Sequence, residues 1–257
     1  MSSEKKKILI VVKTYPTPST RYREIVCTAG VDEDGNWIRL YPIDYRYRDY
    51  SQWYRKYQWI EVEVQKHTQD PRPESYRPIG DIKIITSKPI PTTNNWAERK
   101  RYVLKKRNVK TMCWLNGQQQ KTISLALIKP KEILNFSWEE TSNEWTPKQK
   151  QAMEQMHLFD KNRPEKLLER IPYKFFYHFY CQETNCRGHK MMIEDWEVCE
   201  LFRKMRDKYG EKKALEKVKE KFLCKICSPE RDTYFIVGTV LKYGKWIIIG
   251  TFWPPKT

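Results

Sequence analysis

The sequence predicts an α+β protein. A small β-barrel region fills about the first 138 residues, and residues 139–257 form a smaller α+β domain held together by cysteines. Three observations predict this. Short β-branched runs with period-two alternation crowd the first half, and stretches with helical spacing of apolar residues lie mainly in the second. Two close cysteine pairs, Cys181-x4-Cys186 and Cys224-x2-Cys227, also stand in the second half.

The elements follow in order. Lys7 to Lys13 (KILIVVK) is a compact apolar run and reads as the first strand. Glu24 to Val31 and Asn36 to Ile43 are strand-like on either side of Asp32-Glu33-Asp34-Gly35, which predicts a hairpin. Trp59 to Lys66 alternates apolar and polar residues as a half-buried strand does, and Asp81 to Thr86 and Thr122 to Lys129 supply two more strands. A helix near Trp96 to Lys106 interrupts them, and several short strands with one helix fit a small barrel or a pair of barrels. The Asp70 to Pro78 loop carries three prolines, which stiffen either a binding loop or a strap across a barrel end.

In the second half, Thr146-Pro147 reads as the N-cap and first position of a helix running to about Leu158. Pro172 to Tyr180 is an aromatic strand that delivers Cys181. Asp195 caps a helix whose Val198, Leu201, Phe202, Met205 and Tyr209 form one apolar stripe. Gly210 ends that helix, a Lys- and Glu-rich helix follows to about Phe222, and Tyr234 to Val240 and Trp246 to Phe252 close the chain as a hairpin.

Among the 257 residues, 49 are Lys or Arg and 32 are Asp or Glu, so the net charge is +17. An excess of that size favours a polyanionic partner, DNA or RNA, because neutralised phosphates release counterions. Residues 1 to 135 hold net +12 (26 basic, 14 acidic) and residues 136 to 257 net +5 (23 basic, 18 acidic), so the attraction belongs mainly to the first half. The chain has no apolar stretch long enough to span a membrane and no signal-like start, which predicts a cytoplasmic protein with no membrane partner. Gly-rich phosphate loops, Gly-x-Ser-x-Gly elbows and dinucleotide fingerprints are missing from the sequence.

Between Tyr41 and Trp59, eight aromatic residues interleave with Arg46, Arg48, Arg55 and Lys56. Rings that stack on unpaired bases beside cations that hold phosphates make up a surface for single strands or RNA. On this reading Tyr47, Trp53 and Tyr54 stack, while the four cations contact phosphates; the opposing reading places half of the rings in a barrel core. Arg99, Lys100, Arg101, Lys105, Lys106, Arg107 and Lys110 put seven cations into twelve residues and extend the track through phosphate contacts. Arg39 is expected in a buried ion pair with Glu24 on the neighbouring strand, the alternative being contact with a phosphate or base.

The stretch Ile25-Val26-Cys27-Thr28-Ala29-Gly30, followed by Gly35-Asn36-Trp37-Ile38-Arg39-Leu40-Tyr41-Pro42, resembles the opening of prokaryotic proteins with a dual OB-like domain. There, a Cys-x-Ala-Gly strand precedes a Gly-x-Trp-Ile-Arg strand. The resemblance covers about the first 130 residues. It implies an OB-like β-barrel that binds nucleic acid, often in mobile-element or defence settings, and it assigns no chemistry.

In a reducing compartment the cysteine pairs predict one tetrahedral zinc site rather than two disulfides, with Cys181, Cys186, Cys224 and Cys227 as ligands and His189 as a substitute for one thiol. Cys27, Cys113 and Cys199 are expected as small buried apolar residues. Four thiols close the zinc shell and leave no place for water, so the site reads as structural. The catalytic alternative is a metal-dependent nuclease centre built from His189, Asp195 and Glu197, although Asp195 already serves as an N-cap. The function expected is thus nucleic-acid binding without intrinsic chemistry, as an accessory subunit of a prokaryotic defence or mobile-element complex with a protein partner. A third reading, a protein-interaction adaptor, draws on the aromatic surface and on Trp253-Pro254-Pro255.

Overall fold

The first strand, β1 (Glu4–Lys13), explains why its apolar run does not alternate: both of its faces are covered. In the computed structural model, which describes residues 2–19, 21–159, 164 and 166–256, the chain continues through β2 (Thr17–Ser19), β3 (Arg23–Val31), β4 (Trp37–Ile43), β5 (Trp59–Lys66), β6 (Ser75–Pro78) and β7 (Lys83–Ile84). Five of these strands close on themselves in the order β1-β3-β4-β6-β5 and back to β1. Only β4 and β6 pair in parallel; the other ladders of the ring are antiparallel. Counted along the chain the order is 1-2-3-5-4-1, a closed Greek key of five strands, which fits an OB-like barrel.

Alternation assigns each face. Ile8 and Ile10 point into the barrel with Val26, Ile38, Leu40, Ile60 and Val62. Leu9 and Val11 point out, together with Ala29, Val31 and Trp37, and meet a second sheet rather than water. Period two thus holds over these stretches, broken by bulges at Ile10/Val12 and Val26/Thr28, and the apolar run of β1 shows no polar face because its outer face is itself an interface. At Gly30 on β3 an added Cβ would stand 2.3 Å from the Leu9 carbonyl oxygen and 2.6 Å from Ile8 Cγ2, so the crossing of β1 and β3 admits only glycine.

After α1 (Thr93–Val103) come β8 (Val109–Lys110), α2 (Met112–Asn116), β9 (Leu125–Ile128), β10 (Glu132–Glu140), α3 (Pro147–Phe159), β11 (Tyr173–Tyr180) and β12 (His189–Ile193). Then follow α4 (Trp196–Tyr209), α5 (Glu211–Lys219), a π-helical turn over Glu220–Lys225, β13 (Tyr234–Thr239) and β14 (Trp246–Phe252). The structure is thus α+β. The second sheet runs β10-β11-β12-β14-β13-β9-β8, with β12–β14 and β8–β9 parallel. The strand expected at Thr122 to Lys129 forms as β9, but it pairs with β13 of the second sheet and not with the barrel. Its four residues are all buried, because Leu125 and Leu127 face the barrel while Ala126 and Ile128 face the opposite core.

That opposite core holds Phe136, Phe175, Tyr177 and Phe179 from β10 and β11 against Val198 and Phe202 of α4 and Val218 of α5. Asp195 is the N-cap of α4, accepting from the Glu197 amide at 2.9 Å, as the sequence predicted. Of the expected stripe, Val198 and Phe202 are buried and Leu201 and Met205 pack against the core, whereas Tyr209 is exposed. The closing hairpin forms as β13 and β14.

Of the polar ties that cross between the barrel and the second sheet with its helices, two are built on buried ion pairs. Lys56 donates to both Asp195 carboxylate oxygens, at 2.8 and 2.7 Å, where Asp195 has no exposed surface. The proline-rich loop is the second tie, since Arg72 forms a buried fork with Asp70 and donates to the Thr239 carbonyl at 2.7 Å. Among the described residues, no helix is long and apolar enough to cross a membrane.

Candidate functional site

Four possible ligands converge where the aromatic strand ends. β11 delivers Cys181, the following turn carries Cys186, β12 opens with His189, and α2 brings Cys113 from outside that hairpin. Their ligand atoms all lie within 4.8 Å of one another. Cys113 Sγ is 3.5 Å from Cys181 Sγ and 3.5 Å from His189 Nε2, which is 3.2 Å from Cys186 Sγ. A tetrahedral zinc with sulfur at roughly 2.3 Å and nitrogen at roughly 2.0–2.1 Å has ligand edges of roughly 3.6–3.8 Å, so this set closes around such an ion with small movements.

The local backbone favours the cluster. The Cys181 and Gly188 amides donate to Cys186 Sγ at 3.3 and 3.4 Å, and Gly188 takes φ +90° beside the Tyr180 ring, a conformation that suits glycine. Thr111, the N-cap of α2, donates its hydroxyl to Glu183 at 2.7 Å and so fixes Cys113 against the Cys181–Cys186 turn. Burial opposes ionisation of Cys181, yet backbone amides and His189 draw its thiol down to about 6. Burial and the neighbouring Cys181 push Cys113 up to about 12. Clustered thiolates repel, and a divalent cation removes the conflict by holding all of them ionised.

Cys224 and Cys227 do not enter this cluster. Cys224 is exposed, and Cys227 Sγ sits 3.1 Å from the Phe222 carbonyl oxygen, with burial pushing its thiol up to about 12. Cys224 lies on the π-helical turn and Cys227 just beyond it, against Tyr177 and Phe222, so Cys113 and His189 take the two places assigned to this pair from sequence. The nuclease arrangement is not assembled either. His189 opens β12 among the thiols, whereas Asp195 lies beyond the other end of that strand, buried on Lys56 and on the α4 amides. Lys56 also takes the Glu197 carboxylate at 3.3 Å.

The basic and aromatic segment is largely consumed by the fold. Tyr54 has no exposed surface and shares a 2.6 Å hydrogen bond with Thr28, while Tyr47 is 4% exposed, so neither ring can stack on a base. Arg46 donates to both Glu24 oxygens, at 3.0 and 3.1 Å, and takes the partner that sequence assigned to Arg39. Arg39 turns instead toward the second sheet, donating to Ser124. Arg48 holds Asp44 and Gln52. Lys56 is bound as described, and Arg55 is exposed.

The second cationic run divides in the same way. Arg99 donates to the Ile90 carbonyl and covers the Tyr57 ring at 3.8 Å, and Lys100 reaches the Pro255 carbonyl. Arg107 donates to the Asp34 carbonyl and to Asn36, Lys105 covers Gly35, and Lys110 lies 5.3 Å over Trp114. Arg101 is exposed beside Tyr102. The Lys106 side chain lies outside the described ones.

One place gathers predicted residues into a shared surface. A cleft of about 260 Å³ is lined by Arg46 and Trp53 of the barrel and by Tyr15, Lys166, Trp196 and Arg203. Trp53 is 37% exposed and anchored by its indole N–H on the Arg48 carbonyl at 2.8 Å. Its ring is 5.3 Å from Tyr45, which lies 5.6 Å from Trp196. Lys13 sits over Tyr45 and Trp196 at 4.2 and 4.3 Å, and burial together with the nearby Lys56 lowers its amine to about 8. Glu169 and Glu200 neutralise Arg203 at the cleft wall, at 3.1 and 2.7 Å.

Residues 108–257 match the family described as Domain of unknown function (DUF8757), and residues 4–105 match the one described as Domain of unknown function (DUF8758). This chain belongs to the DUF8757 family. No curated protein matches it. Among solved structures, a murine DNA-binding protein bound with double-stranded DNA aligns at 10% identity over 100% of both chains, with a TM-score of 0.32. A likeness this distant carries no argument about either fold or function.

Sequence reading alone missed three residues of this DUF8757 chain. Cys113 stands 68 residues before Cys181 with no local spacing to mark it. The available signal was Cys186-x2-His189, a knuckle spacing that pointed to a mixed sulfur and nitrogen shell. Trp196 enters the cleft, and Lys13 covers its ring, only because β1 ends and α4 begins beside the same barrel rim.

Proposed function

We propose that this chain is a nucleic-acid-binding protein that favours single strands or RNA and performs no chemistry of its own. The observation that carries the reading is the cleft in which exposed Trp53 stands with Trp196 and the exposed Lys166, its wall completed by Arg46 paired with Glu24, on a chain of net charge +17. An aromatic face beside cations takes an unpaired base and its phosphate, each stacked base contributing roughly 1–3 kcal/mol. Arg55 and Arg101, exposed on the same half of the chain, extend the electrostatic attraction.

In this reading the ion at Cys113, Cys181, Cys186 and His189 is zinc, with a structural role, because three sulfurs and one nitrogen complete a tetrahedron. The likeness of the Cys27 and Arg39 strands to dual OB-like proteins suggests an accessory place in a prokaryotic defence or mobile-element complex. The adaptor reading loses its aromatic tail, since Trp253 packs against Trp96 at 5.2 Å.

The test is fluorescence anisotropy with labelled single-stranded RNA, single-stranded DNA and duplex DNA across a salt series. The expected outcome is tighter binding of a single strand than of the duplex, with log affinity falling by about 0.7 per neutralised phosphate for each decade of salt. Salt-independent binding, or none to any of the three, overturns the proposal.

A further inference from the structure

A second cavity, of about 400 Å³, lies between the barrel and the second sheet, away from the metal ligands. Thr14, Cys27, Arg39 and Tyr41 line it from the barrel and Thr239 and Ile249 from the sheet. Cys27 and Arg39 belong to the two strands whose sequence stands out in the first half.

Arg39 is 1% exposed. Its Nη1 donates to the Ser124 and Ser75 hydroxyls at 2.6 and 3.4 Å, and its Nη2 to the Ser124 carbonyl at 2.9 Å. Its Nε–H has no partner. Among the described residues, no carboxylate pairs with Arg39 directly: Glu74 accepts from the Ser124 amide and hydroxyl, one hydrogen bond away. Gly238 leaves room for the guanidinium, since a Cβ there would stand 3.2 Å from Nη2. Thr239 is 5% exposed, and its hydroxyl also lacks a partner. Two buried donors are thus left over beside one cavity, and each destabilises the fold unless it is met. A buried cation that touches only neutral groups adds to that cost.

The remaining walls are mostly carbon, from Val240, Leu241, Ile247 and Ile249, while Arg72 is fully engaged with Asp70 and the Thr239 carbonyl. Lys242 and Glu194 also line the cavity. A volume of this size lies in the range of small-ligand sites, roughly 300–1,000 Å³.

We infer that this cavity is a binding site for a small amphipathic organic anion, one oxyanion group on an apolar body. The oxyanion accepts from the Arg39 Nε–H and the Thr239 hydroxyl, and the body fills the space along Val240, Leu241, Ile247 and Ile249. A carboxylate and a phosphate monoester share this chemistry, and the probes distinguish them.

The experiment is isothermal titration of the full chain with octanoate and with phenyl phosphate, beside octanol and inorganic phosphate, which each lack one half of the proposed ligand. One saturable site for octanoate or phenyl phosphate, at least tenfold tighter than either control, is the expected result, and the better probe names the headgroup. Thr239→Val should weaken that probe about 2- to 10-fold, as loss of one hydrogen bond does, while its melting temperature equals or exceeds the parent's because an unmet hydroxyl is gone. Arg39→Met should abolish binding; if it does not fold, Thr239→Val carries the test alone. Absence of binding, octanol binding as well as octanoate, or a Thr239→Val affinity within twofold of the parent's for a folded protein would each overturn the assignment.

Discussion

Replacing Lys56 by Met isolates the tie between barrel and α4. Lys56 donates to both oxygens of an Asp195 that has no exposed surface, and burial already lifts that carboxyl to about 6 against the pull of Lys56. Removing the ammonium raises it further. A carboxyl whose folded pKa lies above its unfolded value of roughly 3.9 favours the folded state at low pH, and that advantage is lost as pH rises through the folded pKa. In the parent this loss is complete a little above pH 6; in Lys56→Met it continues at about 1.4 kcal/mol per pH unit until the new pKa is reached. Between pH 5.5 and 7.5 the variant should therefore lose about 2 kcal/mol more than the parent does. The total cost at pH 7.5 is about 3–5 kcal/mol, as for a buried pair stripped of one partner.

Urea denaturation followed by tryptophan fluorescence at the two pH values, on both proteins, measures this double difference. Other titrating groups cancel because both chains share them. Asp195→Asn in the Lys56→Met background keeps an acceptor for the Glu197 amide while removing the charge, and it should abolish the added pH dependence. A cost at pH 7.5 within about 0.5 kcal/mol of that at pH 5.5 would refute the buried-charge reasoning.

Three further predictions test the site and the fold. Metal analysis should find one zinc per chain, lost in Cys113→Ser and kept in Cys224→Ser; the reverse pattern would return the site to the two sequence pairs. Trp53→Ala should weaken single-strand binding about 5- to 150-fold, matching one stacked base, while Tyr54→Phe leaves affinity unchanged because its ring is sealed in the barrel. Equal effects in anisotropy titrations would contradict this placement. Gly30→Ala should cost about 1–3 kcal/mol or more in urea denaturation, since its Cβ meets the Leu9 carbonyl backbone, and a neutral result would mean that β1 and β3 can separate there.

The sequence by itself determined what depends on neighbours along the chain. Apolar and alternating runs yielded four of the five barrel strands, Asp195 the cap of α4, Gly210 its end and Tyr234 to Phe252 the last hairpin, because backbone conformation and facial alternation are local properties, whereas β6 lies in the stretch read as a proline-rich loop and becomes a strand only by pairing with β4 and β5. It also marked Cys181, Cys186 and His189, which one turn holds together. Only the tertiary structure decided the fourth ligand, since Cys113 arrives on a separate helix and Cys224 and Cys227 are carried away by a helical turn that their spacing does not announce. The same holds for the aromatic segment, where composition showed rings and cations but not which of them the barrel would bury. Tyr54 went to the core and Trp53 to the rim because the 3-10 turn at Tyr50–Gln52 ends between β4 and β5 and sets the direction of each ring. The faces of β1 and β9 lie at the same limit: an apolar run shows that both sides are covered, whereas what covers them is a contact between residues more than a hundred positions apart.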